Sequence, residues 1–284
     1  MLSEKIQLYI QLTRLNRPIG FMLLLWPTLW SLWIAGNGSP EPLIVMVFSA
    51  GVILMRSAGC AINDYADREI DKHVERTQQR PITSGKISAR EALVVFAAIS
   101  LLSFALVLLL NKLTIMLSVI GVLLAASYPF MKRYTHLPQA YLGIAFGWAT
   151  PMAFAAQTGE LDPRLWLIVA TVVVWAISYD TMYAMVDRDD DLKIGVKSTA
   201  ILFGKHDRLA IGLLQITMLG LMVLTARAFE LGLFYYAGIL IAALLCVYHQ
   251  WLIKDRERES CFKAFLHNNW LGAVVFIGLF LDYL

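Results

Sequence analysis

Stretches of about 20 apolar residues, each long enough for one transmembrane helix, recur along the whole 284-residue chain. Backbone polar groups inside a bilayer must be paired within the protein, so only helices or closed barrels can span it. Only 16% of the residues are charged, against about 25% in soluble domains. The fold class predicted from this pattern is all-α, a polytopic membrane protein.

Nine transmembrane helices are predicted, and no Pro-, Gly- or Ser-rich linker separates them, so residues 1–284 are treated as one domain. The predicted spans are 18–36, 42–63, 92–110, 113–130, 138–157, 165–186, 209–227, 233–252 and 268–283.

The Lys and Arg residues are distributed asymmetrically between the predicted loops. Of the 24, 20 lie in the N-terminal segment and in the loops that follow helices two, four, six and eight, and only 3 lie in the other loops or the C-terminus. Positive residues concentrate on the cytoplasmic side, so the N-terminus is predicted to be cytoplasmic and the C-terminus to lie outside. A net charge of +3 is too small to suggest a nucleic-acid partner.

An acidic cluster, "NDYADREID" at residues 63–71, stands where the second predicted helix reaches the cytoplasmic side. In helical geometry Asn63, Asp64, Asp67 and Asp71 can share one face. Like charges stacked in this way repel, which suggests that a cation is expected there. Hard oxygen ligands suit Mg²⁺. The alternative is a solvated acidic end of a helix.

A second cluster lies at the cytoplasmic end of the sixth predicted helix, in "YDTMYAMVDRDDDLKIGVKST" at residues 179–199. Asp187 and Asp191 are spaced i, i+4, with Tyr183 one turn and Asp180 two turns earlier on about the same face. Both clusters contain DRxxD, 120 residues apart, which suggests two related halves, at approximately 1–134 and 135–284. Two such clusters on one membrane face can hold metal ions that clamp a diphosphate.

Basic residues that follow the two clusters are candidates for binding that diphosphate through charge-assisted hydrogen bonds. The alternative is that they only set the membrane topology. Two further candidates end the fourth predicted helix on the same side. The full set is Arg68, Arg76, Arg80, Lys132, Arg133, Lys193 and Lys197.

The stretch "NDYADREID" followed by "RTQQRPITSG", together with "YAMVDRDDDLKIGVKST", resembles the UbiA-type intramembrane prenyltransferases, whose signatures are NDxxDxxxD and DxxxD. The second stretch is most similar to the branch that prenylates 4-hydroxybenzoate in bacterial ubiquinone synthesis. The resemblance implies nine helices around a central cavity with a cytoplasmic cap, in the bacterial inner membrane with a periplasmic C-terminus. It also implies Mg²⁺ and a polyprenyl diphosphate donor. The implied metal ligands are Asn63, Asp64, Asp67, Asp71, Asp187 and Asp191.

The expected reaction moves a polyprenyl group to the ring carbon ortho to the hydroxyl of 4-hydroxybenzoate. Basic residues and Mg²⁺ stabilise the departing diphosphate, and a dry cavity protects the allylic cation from water. Asp191 is either a metal ligand or a hydrogen-bond partner of the phenol, and Tyr128, Tyr179 and Tyr183 are candidates for shielding the cation. Another aromatic acceptor, or a divalent-cation transporter, remains an alternative function.

Arg56 is an unusual residue, because it lies inside a predicted membrane span, about 10 Å deeper than Asn63. A charge at such a depth costs about 2.5–3.5 kcal/mol on insertion scales. Two interpretations remain open. Arg56 either points into the cavity and receives the carboxylate of the acceptor, or forms a structural ion pair with an aspartate of the motif. Arg133 is a second candidate for that carboxylate.

Overall fold

The protein is all-helical over residues 2–284, the part that the computed structural model describes, with side chains from Glu4 onward. Its α-helices in that part are α1 (Leu2–Leu12), α2 (Ile19–Ala35), α3 (Pro42–Asp67), α4 (Ala89–Val107), α5 (Lys112–Ser127), α6 (Pro138–Gly147), α7 (Ala149–Thr158), α8 (Leu165–Ile194), α9 (Thr199–Phe203), α10 (Asp207–Ala228), α11 (Leu233–Leu252) and α12 (Arg258–Asp282). Short 3₁₀ turns occupy Asp71–His73, Tyr128–Arg133 and Gly204–His206.

Seven helical segments of the described chain are long and apolar enough to cross a membrane. They are α3, α4, α5 with its following 3₁₀ turn, α8, α9 with α10, α11 and α12. The first predicted span corresponds to α2, an apolar helix of only 17 residues that contains Pro27. The coarse prediction of a multi-pass helical protein is therefore confirmed, whereas the count of nine spans stays a prediction.

The fifth predicted span, residues 138–157, is not one helix. It is divided at Trp148 into α6 and α7, each of 10 residues. Pro151 explains the break, because it has no N–H to donate to the carbonyl of Gly147 and its ring crowds that carbonyl. At the break, the indole Nε1 of Trp148 donates to the carbonyl of Leu117 in α5, at 2.9 Å.

Both helices that carry the acidic clusters run further than predicted. The second predicted helix was expected to end at residue 63 but α3 continues to Asp67, and the sixth was expected to end at 186 but α8 continues to Ile194. Gly195 then ends α8 in the left-handed conformation, with φ of 71°, which glycine adopts without steric cost. Helical geometry therefore fixes most of the candidate metal ligands relative to one another.

The largest apolar core joins α2, α8, α10, α11 and α12. Trp30 stacks on Trp175 with ring centroids 5.4 Å apart, and its Nε1 donates to the carbonyl of Gly272 at 3.2 Å. By contrast, α4, α5 and α10 expose large apolar side chains such as Leu101, Leu123 and Ile216. Exposed apolar surface of this extent is typical of contact with lipid.

Candidate active site

The two acidic clusters line one cavity of about 150 Å³, here called the motif cavity. Its carboxylate and amide side chains come from the end of α3, the following 3₁₀ turn, the start of α6 and the second half of α8. Its basic side chains come from three loops. The members that sequence analysis predicts are Asn63, Asp67, Asp71, Arg76, Arg80, Lys132, Tyr183, Asp187, Asp191 and Lys197.

Two further cavities continue from the motif cavity. The central cavity, about 370 Å³, shares Asn63, Arg76 and Tyr183 with it and extends to Arg56. The apolar cavity, about 420 Å³, begins at Arg56 and lies between α3, α4, α5, α6 and α7. Tyr128 lines all three. The three cavities therefore follow one another from charged to apolar, with Arg56 between the central cavity and the apolar cavity.

The carboxylates of the first cluster are buried, and each has a basic partner. Asp67 Oδ2 lies 2.5 Å from Lys132 Nζ, and Asp71 Oδ2 lies 2.6 Å from Arg80 Nη1. Thr77 fixes the turn by donating its hydroxyl to the carbonyl of Asp71 at 3.0 Å. Burial without these partners would cost several kcal/mol per charge, and the basic residues offset part of that cost.

Asp64 differs from the other residues of the first cluster, because it lines none of the three cavities. Its Oδ1 lies 2.6 Å from Arg14 Nη2 and 3.1 Å from Arg80 Nη1. Arg14 belongs to the segment between α1 and α2 and has a positive φ of 56°. Asp64 therefore ties that segment and the Arg80 loop to α3 through Oδ1, and its role as a metal ligand stays a prediction.

The second cluster is less tightly paired. Arg76 Nε and Nη2 bind Asp187 Oδ1 and Oδ2 at 3.1 and 2.5 Å, a two-point contact. The same guanidinium lies 4.8 Å from the centroid of the Tyr183 ring, so this Tyr face is already occupied by a cation of the protein. Asp191 forms no ion pair with a described residue. Its carboxylate is available to a ligand.

The two arginines that close the motif cavity from the loop between α3 and α4 keep their charge. Burial disfavours the guanidinium of Arg76, but Tyr183 and Asp187 outweigh that effect and the pKa of Arg76 is raised. For Arg80 burial is likewise outweighed, by Asp64 and Asp71, and its pKa is raised. Both side chains are therefore permanent cations beside the acidic clusters.

Arg56 has no ion-pair partner among the described residues, which decides against its pairing with a motif aspartate. Its Nη1 donates to Cys60 Sγ at 2.8 Å, and its Nε is a buried donor without an acceptor. A Cβ at position 20 would lie 2.7 Å from that Nε, so glycine there leaves room for the guanidinium. A buried cation with an unsatisfied donor at a cavity wall is suited to receive an anion.

Three of the predicted substrate-binding residues lie outside the cavities. Arg68 donates to the carbonyl of Tyr65 at 2.7 Å and covers its ring. Arg133 donates to the carbonyl of Ala66, near the end of α3. Lys193 is exposed and lies 3.6 Å from Asp190. Arg68 and Arg133 therefore satisfy free carbonyls near the end of α3, as basic side chains do at helix ends, and Lys193 pairs within its own helix.

Two residues at the site carry no role in the sequence analysis. Arg14 was counted only among the topology-setting residues, and a single sequence gives no signal that it reaches residue 64, 50 positions away. Asp180 was placed on the face of Asp187 and lines both the motif cavity and the central cavity. The i, i+7 spacing from Asp187 is the signal that indicates its position.

The side chains at the motif cavity fit Mg²⁺ chemically, although no three His, Cys, Asp or Glu side chains of the described residues form a ready-made metal site. The predicted set of six ligands stays a prediction, and the chain's own cations lie beside several of these carboxylates. All donors are hard oxygens, and Mg²⁺ needs only one or two carboxylates plus substrate phosphates and waters. Asp67 Oδ1, buried and without a hydrogen bond, is a suitable ligand.

Comparison with known proteins gives a consistent result. The model of the UbiA prenyltransferase family matches residues 24–272. The 4-hydroxybenzoate octaprenyltransferase of Alkalilimnicola ehrlichii is 60% identical over 99% of this chain and 96% of its own length. That of Vibrio campbellii is 58% identical and is aligned over 100% of both chains.

Solved structures agree on the fold. A UbiA homolog from Aeropyrum pernix K1 superposes with a TM-score of 0.81 at 28% identity, over 93% of this chain and 98% of that one. A UbiA homolog from Archaeoglobus fulgidus, bound to GPP and Mg²⁺, gives 0.69 at 16% identity, over 96% and 99% of the two chains. Since the family model spans both acidic clusters and the relatives match at full length, the chain belongs to the UbiA prenyltransferase family.

Proposed function

We propose that this protein is a 4-hydroxybenzoate polyprenyltransferase. It transfers the polyprenyl group of polyprenyl diphosphate to the ring carbon ortho to the hydroxyl of 4-hydroxybenzoate, in ubiquinone biosynthesis. The relatives that carry this activity in their names are 57–60% identical over nearly the whole chain. The observation that carries the proposal is the continuity of the cavities, from two acidic clusters to an unpaired buried arginine.

The motif cavity holds the diphosphate of the donor. Arg76, Arg80, Lys132 and Lys197 line it and can donate charge-assisted hydrogen bonds to the phosphate oxygens. Mg²⁺ held by Asn63, Asp67, Asp71, Asp187 and Asp191 supplies charge neutralisation of the leaving diphosphate. As the allylic C–O bond breaks, negative charge grows on the diphosphate, and the fixed cations of the chain stabilise it at the place where it develops.

The prenyl tail extends into the apolar cavity. Leu101, Phe104 and Val119 line this cavity and are also 68%, 40% and 50% exposed on the outer surface of α4 and α5. The space thus reaches the side of the bundle that faces lipid, and a long tail can leave it sideways. Chain length is therefore not limited by the cavity volume. The names of the relatives make octaprenyl diphosphate the first donor to test.

The acceptor occupies the central cavity with its carboxylate on Arg56. An arginine meets a carboxylate with two parallel hydrogen bonds, and Nε of Arg56 is a buried donor that still lacks an acceptor. Tyr128 lies where the three cavities meet and Tyr179 lines the central one, so their rings can shield the allylic cation. Tyr183 contributes less, because Arg76 covers it.

The topology proposed for this activity keeps the predicted nine spans, with α2 and the α6–α7 pair added to the seven long segments, and two related halves. The acidic clusters form a cytoplasmic cap at the bacterial inner membrane, and the C-terminus is periplasmic. Support comes from the Lys and Arg asymmetry of the loops. Cysteine labelling at positions 72 and 194 tests it, because both sites should react with an impermeant reagent added from the cytoplasmic side only.

Mass spectrometry of the products tests the function itself. Purified protein with Mg²⁺ and octaprenyl diphosphate is offered 4-hydroxybenzoate, dihydroxynaphthoate and homogentisate in parallel. The expected product is 3-octaprenyl-4-hydroxybenzoate, formed at least tenfold faster than any other. Prenylation of another acceptor at a higher rate would replace the proposed substrate. Mg²⁺ flux into liposomes without prenyl transfer would favour the transporter alternative.

A further inference from the structure

Asp180 is a carboxylate of α8 that belongs to neither signature motif. It lines the central cavity together with Arg56, and it lines the motif cavity together with Asp187 and Asp191. It is therefore placed between the proposed acceptor and the proposed diphosphate. We propose that Asp180 is a catalytic residue that binds the hydroxyl of the aromatic acceptor and takes up its proton during prenyl transfer.

The position of Asp180 mirrors that of Arg56. Asp180 precedes Asp187 by seven residues in α8, and Arg56 precedes Asn63 by seven residues in α3. At a rise of 1.5 Å per residue both lie about 10 Å below their motifs. The two side chains line the same central cavity, Arg56 from α3 and Asp180 from α8. An aromatic acid whose two polar groups are para to each other can bridge them, with its carboxylate on Arg56 and its hydroxyl on Asp180.

The electrostatic surroundings of Asp180 agree with this arrangement. Arg56 and Arg76 both act on its charge, yet neither forms an ion pair or hydrogen bond with it. Tyr128 and Tyr179 are the other titratable groups that interact with it. Because Asp180 and Arg56 line the same cavity without pairing with each other, a ring can lie between them. A direct salt bridge would have closed that space.

Asp191 is less well placed for the same task. It lines the motif cavity but not the central cavity, and it lies eleven residues after Asp180 in the same helix, about 16 Å further along the axis. A hydroxyl that reached Asp191 would draw the acceptor away from Arg56. The structure therefore separates the roles, with Asp191 at the diphosphate and Asp180 at the phenol.

The chemistry balances with one proton released. As the C1–O bond of the donor breaks, its electron pair stays on the diphosphate. The ring carbon ortho to the hydroxyl forms the bond to C1 while Asp180 accepts the hydroxyl proton, which leaves a ring ketone. The substituted carbon then loses its proton to the departed diphosphate, Asp180 returns its proton to the oxygen, and the ring is aromatic again. No further group of the protein is needed for this step.

Steady-state kinetics of Asp180→Asn test the proposal, which rests on the proposed binding of 4-hydroxybenzoate. We expect kcat to fall about 10²–10⁴-fold, the usual contribution of general acid–base catalysis, with KM for both substrates within a few-fold. Against 3-fluoro-4-hydroxybenzoate, whose hydroxyl is more acidic, the deficit relative to wild type should shrink at least tenfold. An equal deficit with both acceptors, or a kcat near wild type, would overturn the role.

Two controls separate this role from the proposed function and from misfolding. Wild-type protein that does not prenylate 4-hydroxybenzoate would refute the proposed function before any variant is compared. Unchanged affinity for octaprenyl thiodiphosphate, a donor analogue, shows that a variant is folded. If Asp180→Asn does not fold, Asp180→Glu keeps the charge, and its own deficit should also shrink with the fluorinated acceptor. A Glu variant with equal deficits for both acceptors would overturn the proposal as well.

Discussion

The two acidic clusters look alike in sequence but differ in how the protein holds them. At the end of α3, Asp64, Asp67 and Asp71 are all at most 4% exposed, and each has at least one basic partner. In the last turns of α8, only Asp187 of the two motif aspartates is paired, and its side chain is 13% exposed. In the first cluster, the buried carboxylates and their basic partners thus nearly neutralise one another. In the second cluster, the carboxylates are less fully paired and more exposed.

This difference suggests a division of labour. Charges buried in the first cluster cost free energy unless they stay paired, so substitution there should damage stability as well as activity. The second cluster lies on one continuous helix, α8, whose geometry does not depend on its carboxylates. Substitution there should damage activity more than stability. The predictions below test this contrast.

The largest effects are expected for Asp67→Ala and Asp187→Ala. Each should lower the rate of prenyl transfer by about 10² to 10³, because each removes one interaction with the departing diphosphate. Asp67→Ala should also lower the free energy of unfolding by about 3–5 kcal/mol, since it leaves Lys132 without its buried partner, whereas Asp187→Ala, which frees the more exposed Arg76, should lower it less. Product formation and thermal unfolding of the two variants, measured side by side, check this. Equal destabilisation would remove the contrast.

A smaller effect, confined to one substrate, is expected for Arg56→Lys. Lysine keeps the charge but cannot reproduce a two-point contact with a carboxylate. KM for 4-hydroxybenzoate should rise on the order of 10- to 100-fold, as for loss of a hydrogen bond between charged groups, with the donor KM within a few-fold. Initial rates with each substrate varied in turn give both constants. A raised donor KM would assign Arg56 to the diphosphate.

Asp64→Asn should separate stability from metal use. The variant leaves Arg14 and Arg80 with a weaker partner, so thermal stability should fall. The Mg²⁺ concentration for half-maximal activity should change by less than threefold, because Asp64 does not face the motif cavity. A matched Asp71→Asn variant should raise that concentration at least tenfold. Similar Mg²⁺ responses of the two variants would return Asp64 to the ligand set.

The smallest effects are expected for the basic residues outside the cavities. Arg68→Ala and Lys193→Ala should keep kcat/KM for the donor within about threefold, as most surface substitutions are mild. Arg76→Ala, their matched control inside the motif cavity, should lower it at least tenfold because it loses charge-assisted hydrogen bonds. Initial rates measured against donor concentration give kcat/KM for each variant and check this prediction. A tenfold loss in Lys193→Ala would show that the lysine reaches the ligand when it binds.

Much of the fold could be predicted from apolar stretches, because a bilayer enforces their length. The break at Trp148 could not, since Pro151 is tolerated in many membrane helices. The motif residues were also predictable from helical spacing, whereas their partners were not. Contacts such as Arg14 with Asp64 depend on how distant segments pack, and one sequence contains no record of that. The same limit applies to Arg68 and Arg133, whose contacts with carbonyls near the end of α3 could not be read from the sequence.

The central claim is that the two clusters act on one diphosphate, and a double variant tests it most directly. Single-turnover rates of prenyl transfer are measured for wild type, Asp67→Asn, Asp187→Asn and the combined variant. Residues that stabilise the same developing charge are strongly non-additive. The combined variant should therefore be no more than a few-fold slower than the slower single variant. A rate reduced by the product of the two single effects would mean that the clusters act independently, and would contradict the shared site.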